Sequence, residues 1–145
     1  RVRRSLKTRR LARRRSVRTQ EVRLSPLLRL AVVFMLAALT LYSIGVWSER
    51  FAHRLRPWHL AFFYGGLVCD TIGTDAMRRL VGGLQFNVHG ITGAVALLLM
   101  FAHAAWATRV LVRNDQRAIA TFHRVSVFVW AVWLVPFLSG VAMAA

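Results

Sequence analysis

Histidine is the residue type whose placement could do chemistry in this sequence. His59, His89, His103 and His123 each fall inside an apolar stretch, whereas His53 lies in a polar connection and is expected to be solvated. Imidazole ligates transition metals and moves protons near neutral pH. Ionisable groups at membrane depth are costly, so they mark coordination, proton transfer or a hydrogen-bonded lock between helices. Asp70 is the one carboxylate in the middle of an apolar stretch. It is expected at the depth of His89, where an Asp70–His89 pair could fix a tautomer, relay protons, bind a quinone headgroup or simply lock two helices.

The spacing narrows the chemistry. His89 and His103 are separated by about 1400° of helical rotation and about 21 Å of rise, so they share a face at opposite depths. Two hemes stacked across a membrane would need a second helix with the same pair. The matching positions are Gly45 or Gly73 for His59 and Arg109 or Phe137 for His123, which excludes a symmetric arrangement. A single six-coordinate heme iron needs two imidazoles from different helices, each nitrogen about 2 Å from the metal. Measured from the end that carries the first and third connections, His59 lies about 3 Å in, His123 about 6 Å and His103 about 12 Å. His103 with His123 is the best match in height, and His103 with His59 is the alternate.

The elements that must position these residues are apolar segments. A helix needs about 20 mostly apolar residues to cross the hydrocarbon layer, and residues 27–47, 58–77, 84–111 and 119–141 each qualify by length and composition. The expected fold is an all-α, antiparallel four-transmembrane-helix bundle over residues 26–145, preceded by a basic, disordered arm over residues 1–25. Tyr42 and Trp47 suit headgroup anchoring, and Pro57 suits the first turn of a helix because its missing N–H would be unpaired there. Gly65-Gly66 permits close helix approach, and Gly82-Gly83 reads as a turn. Gly90, Gly93 and Ala94 read as a small-residue packing face, and Pro136 as a kink in the last span. Cys69, the single cysteine, allows no internal disulfide and reads as a small buried hydrophobe.

The net charge of +16 belongs to the front of the chain, where residues 1–29 hold 12 of the 21 Lys and Arg. Dense arginine without a hydrophobic period reads as a solvated arm for anionic lipid headgroups, worth about 1 kcal/mol per basic residue. Nucleic acid is the weaker match. Orientation stays open: without the distal arm, the positive-inside rule puts the first and third connections in the cytoplasm, and with the whole arm it puts the termini there. No glycine-rich phosphate loop, nucleophile elbow or two-histidine zinc-protease motif occurs. Asp70 and Asp75 point about 140° apart and form no carboxylate pair.

The strings Tyr42-Ser43-Ile44-Gly45-Val46-Trp47-Ser48-Glu49, Pro57-Trp58-His59-Leu60, Cys69-Asp70-Thr71-Ile72-Gly73-Thr74, Gln85-Phe86-Asn87-Val88-His89-Gly90-Ile91-Thr92-Gly93, His103-Ala104-Ala105-Trp106-Ala107 and Phe122-His123 resemble the HsmA family of small bacterial integral membrane proteins. The likeness covers roughly Leu27 to the end and leaves out the basic arm. It implies a multi-pass protein of the bacterial cytoplasmic membrane that binds and sequesters heme and helps resist heme or oxidative stress. It does not assign the axial ligands.

The sequence therefore leads to one b-type heme on His103 and His123, with His59 as alternate and His89 as a further heme-facing candidate. Binding is expected rather than catalysis. Storage ranks above electron transfer between a quinone and a partner, because one cluster at one depth supplies no second heme. A structural or proton-coupled transporter subunit without heme is the third reading. The partners admitted are heme, membrane lipids, a quinone and further copies of the chain in a homo-oligomer.

Overall fold

The structure, a computed structural model, describes the backbone of residues 2–144 and the side chains of residues 26–143. Four helices follow one another: α1 (Val2–Ala52), α2 (Pro57–Leu80), α3 (Val88–Val112) and α4 (Gln116–Ala144). The arm over residues 1–25, expected to be disordered, is a correction in its backbone: residues 2–25 continue α1 as helix, while their side chains lie outside the described residues. No strand occurs among the described residues.

Three stretches are long and apolar enough to cross a membrane: Pro26–Ala52, Val88–Val112 and Gln116–Met143. Leu98, Phe101, Phe128, Val135 and Leu138 point outward, more than half exposed, which suits lipid and not water. The chain is thus a helical, multi-pass membrane protein by length and composition. α2 differs. Its 24 residues would reach about 36 Å at 1.5 Å per residue, but Asp70, Asp75, Arg78 and Arg79 interrupt its apolar run.

Helix ends depart from the expected spans, and each departure has a local cause. α1 continues past Trp47 to Ala52, with the Ser48 hydroxyl donating back to the carbonyls of Ile44 and Gly45. That leaves a connection of only a few residues, closed by Leu55 N–H donating to the Ile119 carbonyl at 3.1 Å. α3 starts at Val88 instead of Leu84, because Asn87 is its cap: the side-chain oxygen accepts from Gly90 N–H at 2.8 Å. α4 starts at Gln116, three residues before the expected Ile119, since Asp115 accepts from the backbone N–H groups of Arg117 and Ala118 at 3.1 Å. The Gly82-Gly83 turn is present, with φ of +80° and +144°, a region only glycine enters freely.

α1 and α2 pack most closely. A Cβ on Gly66 would run into the Tyr42 ring, one on Gly45 would come within 3.0 Å of Phe63, and one on Gly73 would reach 2.9 Å from Met35. Small residues at these points let the helices approach, the usual means of association where lipid supplies no hydrophobic drive. The small-residue face of α3 is a correction. A Cβ on Gly93 would meet nothing, Ala94 is exposed, and Gly90 is crowded only by the Gln85 carbonyl of its own chain turn. α3 instead packs through Ala96, Met100, Ala104 and Ala107.

Candidate functional site

The contacts of α1 with α2 set a register in which Met35 faces Gly73, Tyr42 faces Gly66 and Gly45 faces Phe63. Carried one turn further, it places Glu49 opposite His59. Both side chains are fully buried. From the other pair of helices come His103 on α3, 3% exposed, and Ser126 on α4, fully buried. Ser126 Oγ lies 3.4 Å from His103 Nε2, and no aligned hydrogen bond reaches the Glu49 carboxylate. Each of the four helices thus contributes one buried polar group to the same end of the bundle.

The packing around them is aromatic. Phe63 meets the His103 ring at 4.9 Å between centroids and Phe122 meets it at 5.0 Å; Phe122 also lies 4.7 Å from Trp106. Val46, Leu55, Ala104, Ala107 and Ile119 complete this cluster. Buried polar side-chain atoms in folded proteins are nearly always hydrogen-bonded. Among the described residues, the atoms that break this rule are both carboxylate oxygens of Glu49, Nε2 of His59, Nδ1 of His103 and Nδ1 of His123. All of them belong to this end.

His59 takes a role the sequence did not show. Its Nδ1 accepts the backbone N–H of Arg56 at 2.9 Å, so the side chain closes the first turn of α2. An imidazole that accepts at Nδ1 carries its proton on Nε2 and has no lone pair left for a metal. His59 is therefore withdrawn as the alternate axial ligand. His123 is half-buried. Its ring meets that of the exposed His53 edge to face at 6.0 Å, and Arg50 and Arg124 are its charged neighbours. His53 adopts a left-handed φ of +50° where α1 ends. Measured from the observed helix ends, nine residues before Val112 and seven after Gln116, His103 and His123 lie about 14 and 11 Å deep, closer in height than the sequence placed them.

The expected Asp70–His89 pair does not form. Asp70, 3% exposed, accepts from Trp133 Nε1–H at 2.8 Å and from the Tyr42 hydroxyl at 3.4 Å. His89 Nδ1 pairs instead with Ser139 Oγ at 3.0 Å, and its ring rests on Gly140. The reason is the late start of α3: with Leu84–Asn87 outside the helix, His89 sits in its first turn and turns toward the end of α4. Asp75, expected at membrane depth, forms a surface clasp with Arg78 at 2.6 Å and Arg79 at 2.7 Å. Cys69 is half-buried beside the Tyr42–Trp133 cluster.

Sequence reasoning missed Glu49 and Ser126. Glu49 lies beyond the expected first span, residues 27–47, yet the buried positions Ala31, Ala38, Tyr42, Gly45 and Glu49 recur at the three-, four- and seven-residue steps of one helix face, a signal the sequence does carry.

The fold and site define a helical, multi-pass membrane protein with buried histidine and carboxylate side chains near one end. Comparison with protein-family models, with curated proteins and with solved structures finds no match for the chain. No group of three or more His, Cys, Asp or Glu side chains is arranged to hold a metal ion among the described residues.

Proposed function

We propose that α2 is the fourth span and that the bundle sequesters one b-type heme at the histidine-rich end, as the resemblance to the HsmA family implies, with His103 and His123, chosen by their depth and not by that resemblance, as axial ligands. The observation that carries this reading is the concentration of unpartnered, buried imidazole nitrogens on α3 and α4, at Nδ1 of both His103 and His123. The donor set suits axial ligation, which needs only two imidazoles and no cluster of three ligands. The space beside it is filled: Phe122 lies against His103, so its ring must turn aside for a porphyrin to reach that imidazole. Heme bound there supplies one-electron redox and ligand-exchange chemistry. The residues around it, Phe63, Ala104 and Ile119, supply a dry wall that keeps water and peroxide away.

Four spans leave both termini on one face and put Arg50, Arg54, Arg56, Arg109, Arg113, Arg117 and Arg124 on the other. None of these seven forms an ion pair among the described residues, so they are free to meet anionic headgroups or the propionates of a bound heme. A second reading is favoured by one specific observation, the fully buried Glu49 carboxylate without an aligned partner. Such a group suits a proton-coupled membrane subunit that holds no heme.

The deciding experiment is the visible spectrum of the detergent-purified protein titrated with hemin. A Soret band that disappears with His103→Ala, shifts to a five-coordinate form with His123→Ala and survives His53→Ala and His89→Ala is the expected result. Reduction by a quinol on addition would move the role from storage to electron transfer. A protein that stays colourless overturns the heme reading in favour of the second.

A further inference from the structure

Two of the unpaired arginines share a cleft where α3 turns into α4. Arg109 sits in the last turn of α3, and Arg113 follows one turn later, held in helical geometry by its N–H donating to the Arg109 carbonyl at 3.0 Å. Residues four apart on a helix stand on one face, about 5–6 Å apart at Cβ, and Trp106 precedes Arg109 by three residues on that same face. The opposite wall is made by the turn. Asn114 takes a left-handed φ of +50°, its N–H donates to the Leu111 carbonyl at 3.1 Å, and the Asp115 N–H donates to the Val110 carbonyl at 3.2 Å. These bonds fold the start of α4 back on α3. The result is a cleft of about 220 Å³ lined by Trp106, Arg109, Val110, Arg113, Asp115 and Ala118.

Two guanidiniums against one carboxylate leave this lining positive. Asp115 pairs with neither arginine; its Oδ1 accepts the backbone N–H groups of Arg117 and Ala118 at 3.1 Å. The arginine forks therefore keep their donors for an outside anion, and their planar geometry matches phosphate oxygens. Size narrows the ligand: pockets for drug-sized molecules run about 300–1,000 Å³, so this cleft takes a small anionic group and not a whole cofactor. Position narrows it again. The cleft lies at the end of the apolar stretch Val88–Val112, where a span meets the headgroups, and Trp106, 38% exposed, is the residue type that settles at that level. Beside the arginines, Trp106, Val110 and Ala118 supply an apolar wall that a free ion would not use.

We infer that this cleft holds the phosphate of one anionic phospholipid, with Arg109 and Arg113 donating to its oxygens and Trp106 against its glycerol and upper acyl chains. The claim is one lipid at one place, beyond the diffuse attraction of exposed arginines to a charged surface. It makes no use of heme and stands or falls apart from the heme reading.

The test counts bound lipid by native mass spectrometry on the heme-free full chain in neutral detergent. The protein is washed at about 1 M salt, where the screening length is about 3 Å, and offered phosphatidylglycerol or phosphatidylcholine. The basic front of the chain is present in every variant, so its share cancels. One phosphatidylglycerol per chain should be retained and no phosphatidylcholine. Arg109→Gln and Arg113→Gln, both at exposed positions, should each weaken retention by about 10-fold or more. Arg54→Gln, the same loss of charge outside the cleft, should change nothing. Asp115→Asn keeps a side chain able to cap α4 and should tighten retention by removing the one negative group. Free phosphate offers the same oxygens, so inorganic phosphate at millimolar concentration is added in competition and should not displace the lipid. Displacement by it overturns the lipid assignment. Equal retention by Arg109→Gln, Arg113→Gln and Arg54→Gln, or equal retention of the two lipids, overturns the site.

Discussion

Removing the indole N–H of Trp133 is the sharpest test of how this bundle is held together. Asp70 lies in the middle of α2 and is almost fully buried; its Oδ2 accepts from Trp133 at 2.8 Å and from Tyr42 at 3.4 Å. The first distance is a full hydrogen bond, and the second is longer than hydroxyl donors normally make. Interhelical hydrogen bonds in membranes average about 0.6 kcal/mol and reach about 1.7, so a short bond to a buried carboxyl belongs near the top, at about 1.5 kcal/mol, and the long one below about 0.6. Trp133→Phe alone would mix this with lost packing, because the indole meets Tyr42 edge to face at 5.1 Å and stacks on Phe137 at 5.2 Å. A double-mutant cycle with Asp70→Ala isolates the pair. Reversible unfolding in mixed micelles, followed by circular dichroism, should give the larger coupling for Trp133–Asp70 and the smaller for Tyr42–Asp70. Equal couplings, or a larger one for Tyr42→Phe, would refute the geometry of this lock. Hemin binding at the other end should be unchanged in all of these variants.

Three further outcomes follow from the same contacts. Gly66→Ala should lower stability by about 1–3 kcal/mol through overpacking against the Tyr42 ring, whereas Gly93→Ala, which meets nothing, should be neutral or gain up to about 1 kcal/mol from helix propensity; thermal unfolding of the two variants side by side checks this. Phe122→Ala should tighten hemin binding in a spectral titration even as it lowers the stability of the heme-free protein by about 3–5 kcal/mol, and weaker binding would mean that a porphyrin does not enter beside His103. Ser139→Ala should leave the Soret band intact and change only the His89 signals in a histidine-labelled spectrum, since His89 pairs with Ser139 far from His103.

How far the sequence carried the fold can be judged residue by residue. Three of the four apolar segments reappear as helices able to span a membrane, because length and hydropathy are local properties. Pro57, Gly66 and the Gly82-Gly83 turn act where their backbone chemistry put them. The misplacements share one cause: caps and connections decide rotation and depth. Asn87 and Asp115 shift the starts of α3 and α4, and with them the neighbours of His89 and His123. The partners of Asp70 come from α1 and α4, and sequence spacing within one helix contains no information about which helix lies across.

The same logic explains why His59 was the hardest residue to read. From spacing alone it is one imidazole among three at one end. Its role is decided by a single backbone N–H, that of Arg56, which the tight connection after α1 directs at Nδ1. That contact spends the lone pair a metal would need and leaves Nε2–H buried without a partner. Replacing His59 with Asn keeps a side chain that can accept from Arg56 but removes the imidazole. The variant should therefore retain helical content and the Soret band. Should His59→Asn instead abolish the Soret band with the helix intact, His59 would be an axial ligand after all, and the proton placed on its Nε2 by the Arg56 contact would be wrong.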